Sequence, residues 1–150
     1  DLDASCLLYN ASGNLIDQVF FGQLQSQCGS IQHSGDDQEG GGKIDTPNEY
    51  IFLQLNTLPA EVQTVIFTVS CFSGDSFEGI PNAYCNVFDR DGNSELARFD
   101  LQVRARDANG FIIAKAYRVN ETWVFKAIGA PLGGRQRTLE DLRPFAENYL

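Results

Sequence analysis

Short runs rich in Val, Ile, Phe and Tyr, each closed within a few residues by Gly, Asn, Asp or Pro, constrain this chain more than any other feature. They fall at residues 6–9, 18–21, 51–55, 62–72, 82–88, 95–101, 111–118 and 122–128. Such runs are strands, because β-branched and aromatic side chains suit a pleated, half-buried surface. Between them, Ser12-Gly13-Asn14, Asp91-Gly92-Asn93 and Asn109-Gly110 offer the positive-φ positions that hairpins need. Period-two alternation supports the reading: Trp123, Phe125 and Ala127 oppose Val124, Lys126 and Ile128, and Phe99, Leu101 and Val103 oppose Asp100, Gln102 and Arg104. One helical segment is expected, at 138–150, where Thr138 and Asp141 form a capping pattern ahead of Leu139, Leu142, Phe145 and Tyr149, with Pro144 as an interruption. The expected fold class is all-β, an antiparallel β-sandwich of about eight strands with a short C-terminal helix; a closed barrel is the other architecture such strands permit.

At 150 residues the chain is a single domain, residues 1–150, with 43% hydrophobic residues to build its core. The 20 acidic against 11 basic side chains leave a net charge of −9, which disfavours nucleic acid and anionic lipid and attracts cations. The longest apolar stretches, at 65–69 and 111–114, fall far short of the ~20 residues a spanning helix needs, so no membrane insertion is expected. The chain opens at Asp1 and contains no Met, which suggests that a leader, tag or strand is missing upstream. The spacing of Cys6, Cys28, Cys71 and Cys85 fits no zinc pattern. Cys6, Cys71 and Cys85 sit in apolar runs, as buried reduced thiols do, and this points to a cytoplasmic location. Against it stand two N-x-S/T sequons, at Asn10 and Asn120.

The segment 35–49 breaks the strand rhythm: it is acidic, glycine-rich and without periodicity. A long loop of that kind inside a compact domain is functional or disordered. If Asp1 and Asp3 lie in a strand, they project from one face with Leu2 opposed, and their oxygens could join those of the loop on one hard cation. On composition alone, a solvated acidic loop is the simpler reading. A second acidic stretch, Asp89 to Asp100, imitates an EF-hand loop, but Ser94 stands where that loop needs Gly and its flanks read as strands; it is expected to be a hairpin turn. Catalytic patterns are missing: there is one histidine, His33, and no nucleophile elbow, phosphate loop or metalloprotease motif. The expected protein is not an enzyme.

Several segments together resemble a known family. Asp1-Leu2-Asp3-Ala4-Ser5, His33-Ser34-Gly35-Asp36-Asp37, Leu58-Pro59-Ala60-Glu61-Val62 before Val65-Ile66-Phe67-Thr68-Val69, Phe77 with Asn82-Ala83, and Glu95-Leu96-Ala97-Arg98-Phe99-Asp100-Leu101 are similar, in order and spacing, to the TerD family of tellurium-resistance and stress-response proteins. The resemblance runs over almost the whole chain to Gly133-Gly134. It implies a β-sandwich that binds Ca²⁺ through Asp1, Asp3, Asp36, Asp37, Asp45 and Glu49, with Asp37 standing where the family usually has Asn. It also implies a binding or scaffold role with protein partners. The chain departs from the family's denser run of Gly and Asp at Gly41-Gly42-Lys43-Ile44-Asp45-Thr46-Pro47-Asn48-Glu49, and it lacks the family's N-terminal strand, which leaves an open sheet edge as an expectation. The alternative is therefore the same fold with a degenerate metal site, serving as a structural or interaction module of a larger assembly.

Overall fold

The computed structural model describes residues 2–35, 49–71, 76–81, 83–134 and 138–150. In chain order the elements are β1 (Asp3–Tyr9), β2 (Leu15–Val19), β3 (Ile31–His33), β4 (Ile51–Leu53), β5 (Thr64–Ser70), β6 (Tyr84–Asp89), β7 (Ser94–Asp100), α1 (Leu101–Arg104), β8 (Gly110–Val119), β9 (Thr122–Leu132) and α2 (Leu139–Ala146). Five strands make one antiparallel sheet in the order β2-β1-β5-β8-β9, and β3-β4 and β6-β7 make two separate ribbons. The expected antiparallel β fold with a C-terminal helix is what forms, with nine strands among the described residues.

The central strands are apolar on both faces because both faces are covered. Leu7 and Tyr9 of β1, Ile66 of β5 and Ile112 of β8 pack against Leu139, Leu142 and Ala146 of α2. Cys6, Leu8 and Val65 point the other way, into a cluster with Ile31, Leu58 and Val62 beneath the β3-β4 ribbon. Further along the sheet, Val69, Phe111 and Ala114 meet Phe77, Leu101 and Ala105 beneath the β6-β7 ribbon and α1. Each fully buried Leu or Ile contributes about 1.5–3 kcal/mol, so these clusters hold the layers together.

Several expectations are corrected. A strand over 18–21 is instead β2 at Leu15–Val19. The short β3 was not expected at all. The supposed alternation of Phe99, Leu101 and Val103 ends at Asp100, whose side chain accepts from Gln102 N at 3.0 Å and caps α1. Asn109-Gly110 forms no positive-φ turn. Asn109 is buried and its carbonyl accepts from Cys71 N at 2.8 Å. The tight turn between β8 and β9 is Asn120-Glu121, at φ 49° and 69°, in the two-residue form that suits the twist of a hairpin. In α2 the helix continues through Pro144. Phe145 is exposed and Ala146 takes its place in the core, since at 3.6 residues per turn Phe145 stands about 120° round from Leu139. Cys6 and Cys71 are buried as expected, but Cys85 is only partly so; all four cysteines are thiols.

Candidate functional site

The site begins where the sheet edge is incomplete. β2 pairs with β1 only as far as Val19 opposite Cys6, so Ala4 lies beyond its reach. Backbone groups at such a place must find other partners. Ala4 N donates to Glu49 Oε1 at 3.2 Å, and the Ala4 carbonyl accepts from His33 Nε2 at 3.2 Å. His33 Nε2 also lies 3.1 Å from Glu49 Oε1, with the two side chains 0% and 5% exposed. Two side chains thus replace the missing strand.

β3 and β4 deliver these groups through their register. His33 closes β3 directly opposite Ile51 of β4. Beyond that pair, Ser34 N donates to the Tyr50 carbonyl at 2.9 Å and Tyr50 N donates to Ser34 Oγ at 2.8 Å. These bonds draw together the two ends of the acidic segment and set Glu49 beside Ala4. Gly35 N donates to His33 Nδ1 at 2.9 Å, which leaves the hydrogen of the neutral ring on Nε2, aimed at Ala4 and Glu49. The Glu49 carboxylate, chiefly through its hydrogen bond, holds the His33 pKa above its usual value; burial opposes it and the charge of Asp3 adds to it.

The electrostatics of this corner are unbalanced. Glu49 Oε1 has two donors, yet Oε2 is buried with no hydrogen-bond partner among the described residues. An orphaned acceptor of this kind costs about 1–3 kcal/mol, more for a charged group, unless a donor or a cation meets it. Asp3 is 5% exposed on β1, one residue from the backbone that Glu49 grips. The charge of Asp3 is felt in this corner, where it adds to the rise of the His33 pKa. The donor set of carboxylate oxygens suits a hard cation such as Ca²⁺.

Of the six expected ligands, the fold brings Asp3 and Glu49 to one corner. Asp1, Asp36, Asp37 and Asp45 lie outside the described residues. Among the described residues, no three His, Cys, Asp or Glu side chains converge as a complete metal set. The EF-like stretch is a hairpin, as expected: Asp89 Oδ1 accepts from Asp91 N at 3.2 Å, and Asp100 caps α1. His33, which the sequence offered as a lone histidine and as the start of the motif opening the acidic segment, was given no role in the site there. Its signal was local: an apolar-polar-polar triplet, Ile31-Gln32-His33, running straight into the glycine that opens the acidic segment.

Fold and corner together define a class: an antiparallel β domain, covered on both faces, with an acid-lined corner where one strand falls short. The sequence profile of the TerD domain matches residues 1–149, and the chain belongs to the TerD domain family of tellurium-resistance and stress-response proteins. It is 41% identical over 142 residues to the tellurium resistance protein TerZ of Serratia marcescens, spanning 95% of this chain and 70% of that one. It is 32% identical over 149 residues to general stress protein 16U of Bacillus subtilis (strain 168), spanning 94% and 76%. Its fold matches that of a homologue of the telluride resistance protein TerD from Streptomyces coelicolor A3(2), with a TM-score of 0.79 at 21% identity over 93% of this chain and 85% of that one.

Proposed function

We propose that this chain is a calcium-binding module of the stress response, acting by binding or scaffolding rather than by catalysis. The observation that carries the reading is the buried Glu49 Oε2, without a hydrogen-bond partner among the described residues, on a carboxylate whose other oxygen holds Ala4 N, next in the chain to the buried Asp3. Asp3 and Glu49 would hold the ion, with Asp1, Asp36, Asp37 and Asp45 as the further acids expected from the sequence. Bound Ca²⁺ supplies charge neutralisation and a template for oxygen ligands. The protein's own part is to keep Glu49 in place, through Ala4 N and His33 Nε2, and to anchor both ends of the acidic segment at Ser34 and Tyr50. A rim stabilised in this way offers protein partners a defined surface. The net charge of −9 argues against nucleic acid as the partner. Four cysteine thiols, two of them buried, fit a reducing cytoplasm.

A second reading, a degenerate site in a structural or interaction module, is favoured by one observation. His33 already sits on Glu49 Oε1, so that oxygen is satisfied without an ion. Calcium titration followed by native mass spectrometry and by melting separates the two. On the calcium reading, the ion adds stoichiometrically and raises the melting temperature, and Asp3→Asn weakens binding roughly tenfold, which is ~1.4 kcal/mol. Equal melting in EDTA and in millimolar calcium would leave the degenerate site as the reading.

A further inference from the structure

A second orphaned oxygen lies beside Asp3, on a strand that supplied none of the expected ligands. Asp3 of β1 is paired directly with Ser70 of β5, and Ser5 with Thr68, one step along the same face. Side chains directly opposite in an antiparallel pair stand on one side of the sheet, with Cβ atoms roughly 4.5–5.5 Å apart. Asp3, Ser5, Thr68 and Ser70 therefore form a small polar plot on the side of the sheet that carries Leu7, Ile66 and Ile112, and all four are buried. Ser5 Oγ and Thr68 Oγ1 satisfy one another by a short hydrogen bond. Ser70 is 0% exposed, and its Oγ has no hydrogen-bond partner among the described residues. A hydroxyl can rotate to donate or accept, so a fully buried one that does neither is a cost the fold carries for some other reason.

We propose that Ser70 is a neutral oxygen ligand of the cation held by Asp3, so that the site is built across two strands, β1 and β5, as well as at Glu49. This rests on the calcium reading above and extends it. A hard ion of large radius takes neutral oxygens alongside carboxylates, and Ser70 is paired directly with Asp3 across the ladder. A strand-borne hydroxyl is also held in position before the ion arrives, so little freedom is lost on binding.

The test exploits a change of sign. Removing an orphaned buried hydroxyl relieves a cost, so Ser70→Ala should melt in EDTA at or above the wild-type temperature. In calcium the same variant should lose at least half of the wild-type rise in melting temperature and bind Ca²⁺ about 3- to 10-fold more weakly by calorimetry. Ser70→Thr, which keeps the hydroxyl, should restore the response. Ser5→Ala is the control: it strands the Thr68 hydroxyl, so it should melt lower in EDTA and keep the full calcium rise. If wild type responds to calcium and Ser70→Ala responds equally, the Ser70 assignment is overturned while the calcium reading stands. The assignment also fails if Ser70→Ala melts lower in EDTA with an unchanged calcium rise, since the hydroxyl would then be purely structural. Absence of any calcium response in wild type overturns both.

Discussion

Buried polar atoms and thiols in this protein differ according to what surrounds each one. His33 and Glu49 illustrate how few groups a strand end needs: two side chains take over the edge hydrogen bonds that β2 does not reach. The cysteines illustrate the opposite, chemistry suppressed by surroundings. Burial raises the Cys85 thiol to about 12 and pushes Cys6 higher still. Cys28 is exposed, and although its slight burial acts the other way, hydrogen bonds from Ser26 and Ser30 bring its pKa below the usual thiol value. Since the thiolate is the reactive form, one equivalent of a thiol reagent at neutral pH should label Cys28 quickly in the native protein. Cys6, Cys71 and Cys85 should react only on unfolding. Mass spectrometry of the labelled peptides checks this, and rapid native labelling of Cys6 would show that the β1 core opens readily.

At the scale of elements, turns and caps decide where strands stop. Glu121 holds φ 69° in the two-residue turn between β8 and β9, a left-handed position that glycine occupies without strain. Glu121→Gly should therefore stabilise the hairpin by about 1 kcal/mol, seen as a rise of about 2–4 °C in melting temperature. An unchanged or lower midpoint would mean that the Glu121 side chain contributes more than its backbone costs. β9 continues past Gly129 to Leu132 because Gly129 takes φ 68° and passes the ring of Phe99 closely; an added Cβ would meet Phe99 Cε1 at 2.8 Å. A sequence reader sees a glycine and ends the strand; the fold uses it as a bulge. α2 opens with a full capping box, Asp141 N donating to Thr138 Oγ1 at 3.3 Å and Thr138 N to Asp141 Oδ2 at 3.0 Å. Thr138→Ala should cost about 1 kcal/mol in a denaturant titration. A cost near zero would mean that α2 is held by its buried face alone, through Leu139, Leu142 and the Tyr9 hydroxyl, which donates to Glu147 Oε2 at 3.0 Å.

For the whole molecule, the calcium reading makes a comparative prediction. Calcium should raise the melting temperature more than magnesium at equal concentration, because Mg²⁺ demands near-ideal octahedral geometry and gives up water reluctantly, whereas Ca²⁺ accepts an irregular set of oxygens. An equal rise with both ions would point to general charge screening of a chain at −9. The sheet's outer strand β9 carries Lys126 and Pro131, residues that blunt an edge against pairing with another chain. The sequence by itself determined the antiparallel β class, the buried β1 and β5, the capped C-terminal helix and the family, since period-two patterning, turn residues and a capping box are all written within a few neighbouring residues. It also singled out Asp3 and Glu49, through resemblance. What only the tertiary structure decided is the length of β2, which leaves Ala4 without a strand partner, the filling of that gap by His33 and Glu49, and the register that sets Ser70 opposite Asp3. Those depend on groups such as Ala4 and His33, 29 residues apart, and Ala4 and Glu49, 45 apart, meeting at one place. No local pattern encodes such a meeting, because register and strand order are settled by the packing of both sheet faces at once.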